Sequence, residues 1–143
     1  MDYFKDAEER LKKYSNASQT LDNLKLRLER IKLNGPKDIK AVDYSKIGKS
    51  NFSRDALNEL VEAQHITRQI VKLESEVLVI DKILEQIKEK SLEQYKFINL
   101  RYVENKNLDK VAADIGYSSN SKHTIYTLRD NALKSFVTLY WGE

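Results

Sequence analysis

Apolar residues recur in steps of three and four along most of this chain. Over residues 4–33 the series Phe4, Ala7, Leu11, Tyr14, Ala17, Leu21, Leu24, Leu28 and Ile31 stays close to a heptad seam, interrupted once near Ala17. That spacing predicts a long amphipathic helix laying its stripe on another helix. Asn34, Gly35 and Pro36 stop it, because Asn or Gly supplies a left-handed cap and Pro cannot continue the hydrogen-bond ladder. A second series, Leu60, Ala63, Ile66, Ile70, Leu73, Val77, Ile80, Leu84 and Ile87, predicts a second long helix with a seam of the same kind. Ser53 fits its N-cap, with Asp55 favourable in the first turn and Phe52 placed to staple onto Leu57. Val61, Val71, Leu78, Val79 and Ile83 widen the stripe beyond one partner, so the hairpin is expected to dimerise or to pack on the C-terminal part as well. Residues 34–52 between the helices show no periodicity and read as a flexible linker. Its Lys37, Lys40, Lys46 and Lys49 either touch phosphate or keep a solvated linker soluble, the second being the commoner use.

The pattern then shortens. Ser91-Leu92-Glu93-Gln94 has the form of a capping box and predicts a new helix from Leu92, with Leu92, Tyr95, Ile98 and Tyr102 as its buried face. Asn105-Lys106-Asn107 supplies a turn, and Asn107 caps a short helix whose Leu108, Val111, Ala112 and Ile115 share one face. Gly116 ends that helix, since a residue without Cβ turns left-handed at no steric cost. After a polar run, Ile125, Leu128, Ala132 and Leu133 form the inward stripe of a helix expected over residues 121–136, with Ser121 as its N-cap. Val137, Leu139, Tyr140 and Trp141 are expected as a tail folded back over the small core, an exposed partner anchor being the rarer use of such residues.

Two short helices joined by a turn are the arrangement that lets the second enter a DNA major groove. The residues facing outward at its start are Lys122, His123, Thr124, Tyr126 and Thr127, all able to hydrogen-bond or to meet a phosphate. Arg129 and Lys134, further along, are better placed for phosphate or solvent. The plain alternative is the solvated face of a helical hairpin.

Leu100-Arg101-Tyr102, Leu108-Asp109-Lys110-Val111-Ala112, Gly116-Tyr117-Ser118 and Ala132-Leu133 together resemble region 4 of bacterial sigma-70 factors. With long helices ahead of that segment, the chain is similar in layout to small phage-encoded regulators of the ArpU/RinA/LtrC type. The resemblance covers about a third of the chain at motif level. It implies a late-gene transcription regulator of a phage or mobile element, acting on double-stranded DNA in a bacterial host cytoplasm, with host RNA polymerase as a second partner. One departure stands out. From Gly116 to Ile125 is nine residues, longer than the family's usual turn, and the extra residues are assigned to the turn. The expected DNA-binding set is therefore Ser121, Lys122, His123, Thr124, Tyr126, Thr127 and Arg129.

Composition narrows the alternatives. The 143 residues are 41% hydrophobic and 33% charged, with one Pro and four Gly, which suits small helical units and not a turn-rich β protein. The chain has no Cys, which removes disulfides, thiol nucleophiles and zinc fingers together. His65 and His123 stand far apart, with no metal-ligand spacing around either. No Gly-rich phosphate cradle or nucleophile elbow is present, so the expectation is a non-enzyme without cofactor. No signal-like segment or apolar run of the ~18 residues that suggest a span occurs, so no membrane contact is expected. Net charge is only +3, and from Ser91 onward seven Lys or Arg face six Asp or Glu. Phosphate-driven DNA binding usually shows a stronger basic bias, so affinity is expected to come from a homodimer or from a neighbouring bound protein.

The sequence thus predicts an all-α protein: a long coiled-coil-like helical hairpin (residues 1–90) followed by a C-terminal helix-turn-helix (residues 91–143). A sequence-specific DNA-binding regulator is the leading expectation. An interaction protein that binds RNA polymerase or another regulator, and a small DNA-packaging (terminase small) subunit, are the alternatives.

Overall fold

The computed structural model describes residues 2–34, 54–117 and 122–142, and every regular element among them is helical. In order they are α1 (Tyr3–Asn34), α2 (Arg54–Lys90), α3 (Leu92–Ile98), a π-helical turn (Asn99–Val103), α4 (Leu108–Ile115) and α5 (Lys122–Trp141). The protein is all-α, as its periodicity predicts. The expected linker beyond Asn34, the Phe52 staple, the Ser53 cap and the Ser121 cap lie outside the described residues.

Two compact units divide the chain: Met1–Ala17 together with Glu76–Glu143, and Ser18–Ser75. The sequence places a boundary after residue 90; in the packing, the start of α1 and the end of α2 group with the C-terminal helices. Ala7 and Leu11 from α1, with Ile80, Ile83, Leu84 and Ile87 from α2, complete one core with Phe97, Ile98, Tyr102, Val111, Ile125, Leu128, Leu133 and Phe136.

Three tyrosines tie this unit across its elements. Tyr14 donates to Asp81, Tyr102 to Glu8 (3.0 Å), and Tyr140 to Glu76 (2.7 Å), while Arg10 Nη1 donates to both Glu76 (3.2 Å) and the Tyr140 oxygen (2.9 Å). The Arg10 guanidinium also lies 4.9 Å from the Tyr140 ring centre and 5.6 Å from that of Trp141. Each hydroxyl has an apolar ring to bury and a polar tip that needs a partner, which the long helices supply. Burial, reinforced by Glu76, pushes the Tyr140 hydroxyl up to about 12. Burial first and then the facing carboxylates, Asp81 and Glu8, push Tyr14 and Tyr102 above their usual value.

Local signals govern the short elements. Ser91 accepts from the Gln94 backbone N–H (3.3 Å), and Asn107 accepts from that of Lys110 (2.8 Å), so both expected caps form. The capping box at Ser91 is only half made. The Gln94 side chain takes the Ser135 hydroxyl (2.7 Å) on its oxygen, and the Ser91 N–H goes to the Ile87 carbonyl. Gly116 ends α4 at φ 106°, with its N–H and that of Tyr117 both reaching back to Ala112, the paired closure that a left-handed residue permits.

Two apolar expectations are corrected. Leu92 is 50% exposed, whereas Phe97, outside the expected face, is fully buried. Phe97 joins the shared core and meets Tyr102, beyond the start of the π-helical turn, edge to face at 6.2 Å between ring centres. The expected folded-back tail does not exist, because α5 runs unbroken for 20 residues to Trp141. Ala132, Leu133, Phe136, Val137 and Tyr140 simply prolong its helical stripe, and Trp141 reaches Tyr3 at 5.4 Å between ring centres.

Unit Ser18–Ser75 is simpler. Ala63, Ile66 and Ile70 are buried, and Leu21, Leu24, Leu28, Ile31 and Leu73 are half-buried at matching spacing. Arg27 and Glu62 form an ion pair at 3.3 Å with both side chains about half exposed, which contributes little in water. Of the residues that widen the α2 stripe, only Ile83 is buried; Val61, Val71, Leu78 and Val79 are 46–63% exposed. Leu78 and Val79, which share a unit with the C-terminal helices, therefore do not pack on them.

Phe97→Ala should destabilise the protein by about 3–5 kcal/mol through lost burial and the cavity left behind, while Leu92→Ala should stay within about 0.5 kcal/mol of the parent, as surface changes do. Denaturant melts of the two variants check the reassigned face. A second outcome concerns alkali. Between the unfolded tyrosine value near 10 and the folded value of about 12, the folded chain holds a proton on Tyr140 that the unfolded chain has lost. Stability must fall as pH rises through that window, and the fall should be shallower in Tyr140→Phe when unfolding is followed at pH 9 to 12.

Candidate nucleic-acid interface

Val111 of α4 and Ile125 and Leu128 of α5 belong to one core, and α3 packs against both helices. Val111 is fully buried, and Ile125 and Leu128 are 4% and 7% exposed in the same core; Leu108, Ala112, Ile115 and Tyr117 pack partly against it. The spacing predicts these three as inward residues, and each is buried. The Ala112 carbonyl receives the closing hydrogen bonds of α4.

The two halves of α5 are held differently. Its C-terminal half buries Ala132, Leu133, Phe136 and Val137, covering a broad arc of the helix. Over its first two turns only Ile125 and Leu128 are buried, and His123, Thr124, Tyr126 and Thr127 are exposed. The N-terminal half thus projects from the core on a narrow apolar footing. Ser121 lies outside the described residues, and Lys122 is placed only as the first residue of α5.

The exposed set is not uniform. His123 and Thr127, four apart, share one face. The Thr127 hydroxyl donates to the His123 carbonyl at 3.0 Å, which leaves its methyl and oxygen lone pairs outward. Asp130 lies on the same face, and its carboxylate is bracketed by Arg129 through Nε (3.3 Å) and Nη2 (3.2 Å). The Arg129 guanidinium also lies 5.0 Å from the centre of the Tyr126 ring. Tyr126 and Arg129 therefore form a separate flank. Arg129, expected among the contacting residues, is partly buried and engaged by Asp130, whose charge it offsets.

Ahead of α4, Lys106 ties the turn to the helix by an ion pair with Asp114 (2.9 Å), the bond that chiefly raises its pKa. Arg101 donates to the Lys106 carbonyl (2.9 Å), and Asn105 takes a left-handed conformation at φ 58°, which Asn tolerates better than most residues. The entry to α4 is thus fixed by side chains as well as by its Asn107 cap.

Charge is evenly matched over the unit that carries these helices. Met1–Ala17 and Glu76–Glu143 contain fourteen Lys or Arg and fourteen Asp or Glu. Attraction of an anion must then come from where the cations stand, not from their excess. Among the described residues no group of three or more His, Asp or Glu could hold a metal ion, and no helix is long and apolar enough to cross a membrane.

No family model, curated protein or solved structure matches the chain.

Sequence reasoning placed Gln94 as half of a capping box and missed its bond to Ser135 on α5. A readable signal existed: Asn131, Lys134, Ser135 and Thr138 continue the polar side of α5 at helical spacing from His123 and Thr127. Ile125→Ala should lower stability by about 2–5 kcal/mol, and Thr127→Val, which keeps the methyl and removes the hydroxyl, should melt close to the parent. A melt of Ile125→Ala indistinguishable from the parent would show that α5 does not rest on this residue.

Proposed function

We propose that α4, the turn after Gly116 and α5 act as a sigma-region-4-like helix-turn-helix, and that the protein is a sequence-specific transcription regulator of phage or mobile-element type. The observation that carries the reading is the exposed N-terminal half of α5, projecting on Ile125 and Leu128 above a core shared with Val111. In a helix-turn-helix this half of the second helix meets base edges in the major groove. His123 offers a donor or acceptor, Thr127 its methyl for thymine, and Lys122 a cation for guanine or phosphate. Thr124 and Tyr126 sit at the two margins of the set. Ser121, read as the cap, would complete the first turn.

A homodimer belongs to this reading, since paired modules reading paired half-sites add their weak affinities. The exposed Val61 and Val71 in one unit, and separately Leu78 and Val79 in the other, support it, because exposed apolar side chains on a long helix are the usual substance of a helical interface. The same face and the balanced charge favour a second reading, an interaction protein that docks on RNA polymerase and touches DNA little. Selection of bound duplexes from a genomic or random pool, with and without polymerase, separates the two. Recovery of a defined motif by the protein alone supports the regulator; recovery only with polymerase supports the docking protein. Closed rings in solution would instead favour a DNA-packaging subunit.

On a selected target, Lys122→Ala and Thr127→Ala should each cost about 1–3 kcal/mol of discrimination against random duplex, with folding intact. Binding by both variants equal to the parent would remove α5 from base reading.

A further inference from the structure

Next to the projecting half of α5 lies a polar cleft of about 260 Å³ between the end of α2, the start of α3 and the C-terminal half of α5. Lys90, Gln94, Asn131, Lys134, Ser135 and Thr138 line it, with Leu139 as its one apolar side chain. No carboxylate lines the cleft, although acids and bases are equal in number over the unit. Neither Lys90 nor Lys134 has an ion-pair partner among the described residues, and both are exposed. The Ser135 hydroxyl donates to the Gln94 oxygen at 2.7 Å. That bond fixes the Gln94 amide with its two N–H donors left to use.

We infer that this cleft is a phosphate site and takes the sugar-phosphate backbone of the duplex whose bases α5 reads, so the inference rests on the proposed DNA reading. Three observations carry it. The chemistry is that of an anion site, with two lysines without carboxylate partners and neutral amide and hydroxyl donors. Its charge is segregated where the surrounding unit has no excess. Its α5 residues also lie on the side of the helix that bears His123 and Thr127: Asn131 follows Thr127 by four residues, Lys134 by seven and Thr138 by eleven, all helical repeats of one face. From His123 to Lys134 the axial rise is about 16 Å, so one face presents base-reading groups at one end and backbone-holding groups at the other. Lys90 adds a cation from a different helix, which fixes the angle of α5 to the strand and not merely its depth. A free phosphate ion shares the chemistry, but the alignment with His123 and Thr127 favours the polymer.

The test is fluorescence anisotropy of full-length protein on a labelled random-sequence duplex and on a selected one, each at several KCl concentrations. Parent, Lys90→Gln/Lys134→Gln and, as a charge-matched control, Lys12→Gln/Lys13→Gln are compared. Losing two phosphate contacts should lower the slope of log affinity against log salt by about two units and weaken both duplexes alike. The control pair, exposed on α1, should leave the slope in place. Asn131→Asp, which sets a carboxylate in the cleft, should weaken both duplexes in the same uniform way. If the parent binds duplex with a normal salt slope and the cleft variants keep it, the cleft is not a backbone site while the DNA reading stands. A parent that binds neither duplex overturns both. Inorganic phosphate that displaces the parent from duplex at constant ionic strength, but not the cleft variants, would place a free-anion site there instead.

Discussion

The C-terminal half of α5 is the constraint on which the rest of the larger unit depends. Ala132, Leu133, Phe136 and Val137 are all nearly inaccessible, and around them gather α3, the start of α1 and the end of α2. Because the grip is at this end, the other end of the same helix can project with only Ile125 and Leu128 beneath it. Helix continuity converts the burial of one half into rigid presentation of the other. A tail that folded back after Phe136 would have removed that leverage.

The long helices give the small one its footing by specific polar links as well as by apolar area. Tyr14, Tyr102 and Tyr140 each bury most of a ring and hand a hydroxyl to a carboxylate on another element. Such bonds are modest in net stability but costly to leave half made, so they select one register of α1 and α2 against the C-terminal helices. Arg10 joins two of the partners and covers the aromatic end of α5. Sequence periodicity shows none of this, since a tyrosine on an apolar stripe reads only as bulk.

Much of the fold is legible because its causes are local. The stripe residues Leu11, Ile66, Ile80 and Ile87, the caps at Ser91 and Asn107 and the stop at Gly116 each act within a few positions. The misreadings have nonlocal or aperiodic causes. Phe97, outside the expected face of α3, is buried in a core built with residues of α1, α2 and α5. The start of α1 and the end of α2 share one core with the C-terminal helices, a grouping that spacing along the chain does not reveal. At the candidate site, the outward set at the start of α5 was readable from spacing, and His123, Thr124, Tyr126 and Thr127 are exposed there. The engagement of Arg129 by Asp130 depends on adjacent rotamers that no pattern encodes.

A unit whose charges balance can still attract a polyanion if its cations are sorted. Coulomb attraction falls with distance and is screened over about 8–10 Å in physiological salt, so what a phosphate senses is the local set of side chains and not the total. Around Lys90 and Lys134 that set contains no carboxylate. On the outward face of α5 that bears His123 and Thr127, the carboxylate of Asp130 is offset by Arg129. In the proposed DNA reading, such a face would leave base edges to be judged by hydrogen bonds and shape, while a separate cationic cleft would supply affinity that does not depend on sequence. Division of those two tasks between the ends of one helix would let a weakly charged protein discriminate well and bind only moderately, which is the condition under which dimerisation through α2 gains most.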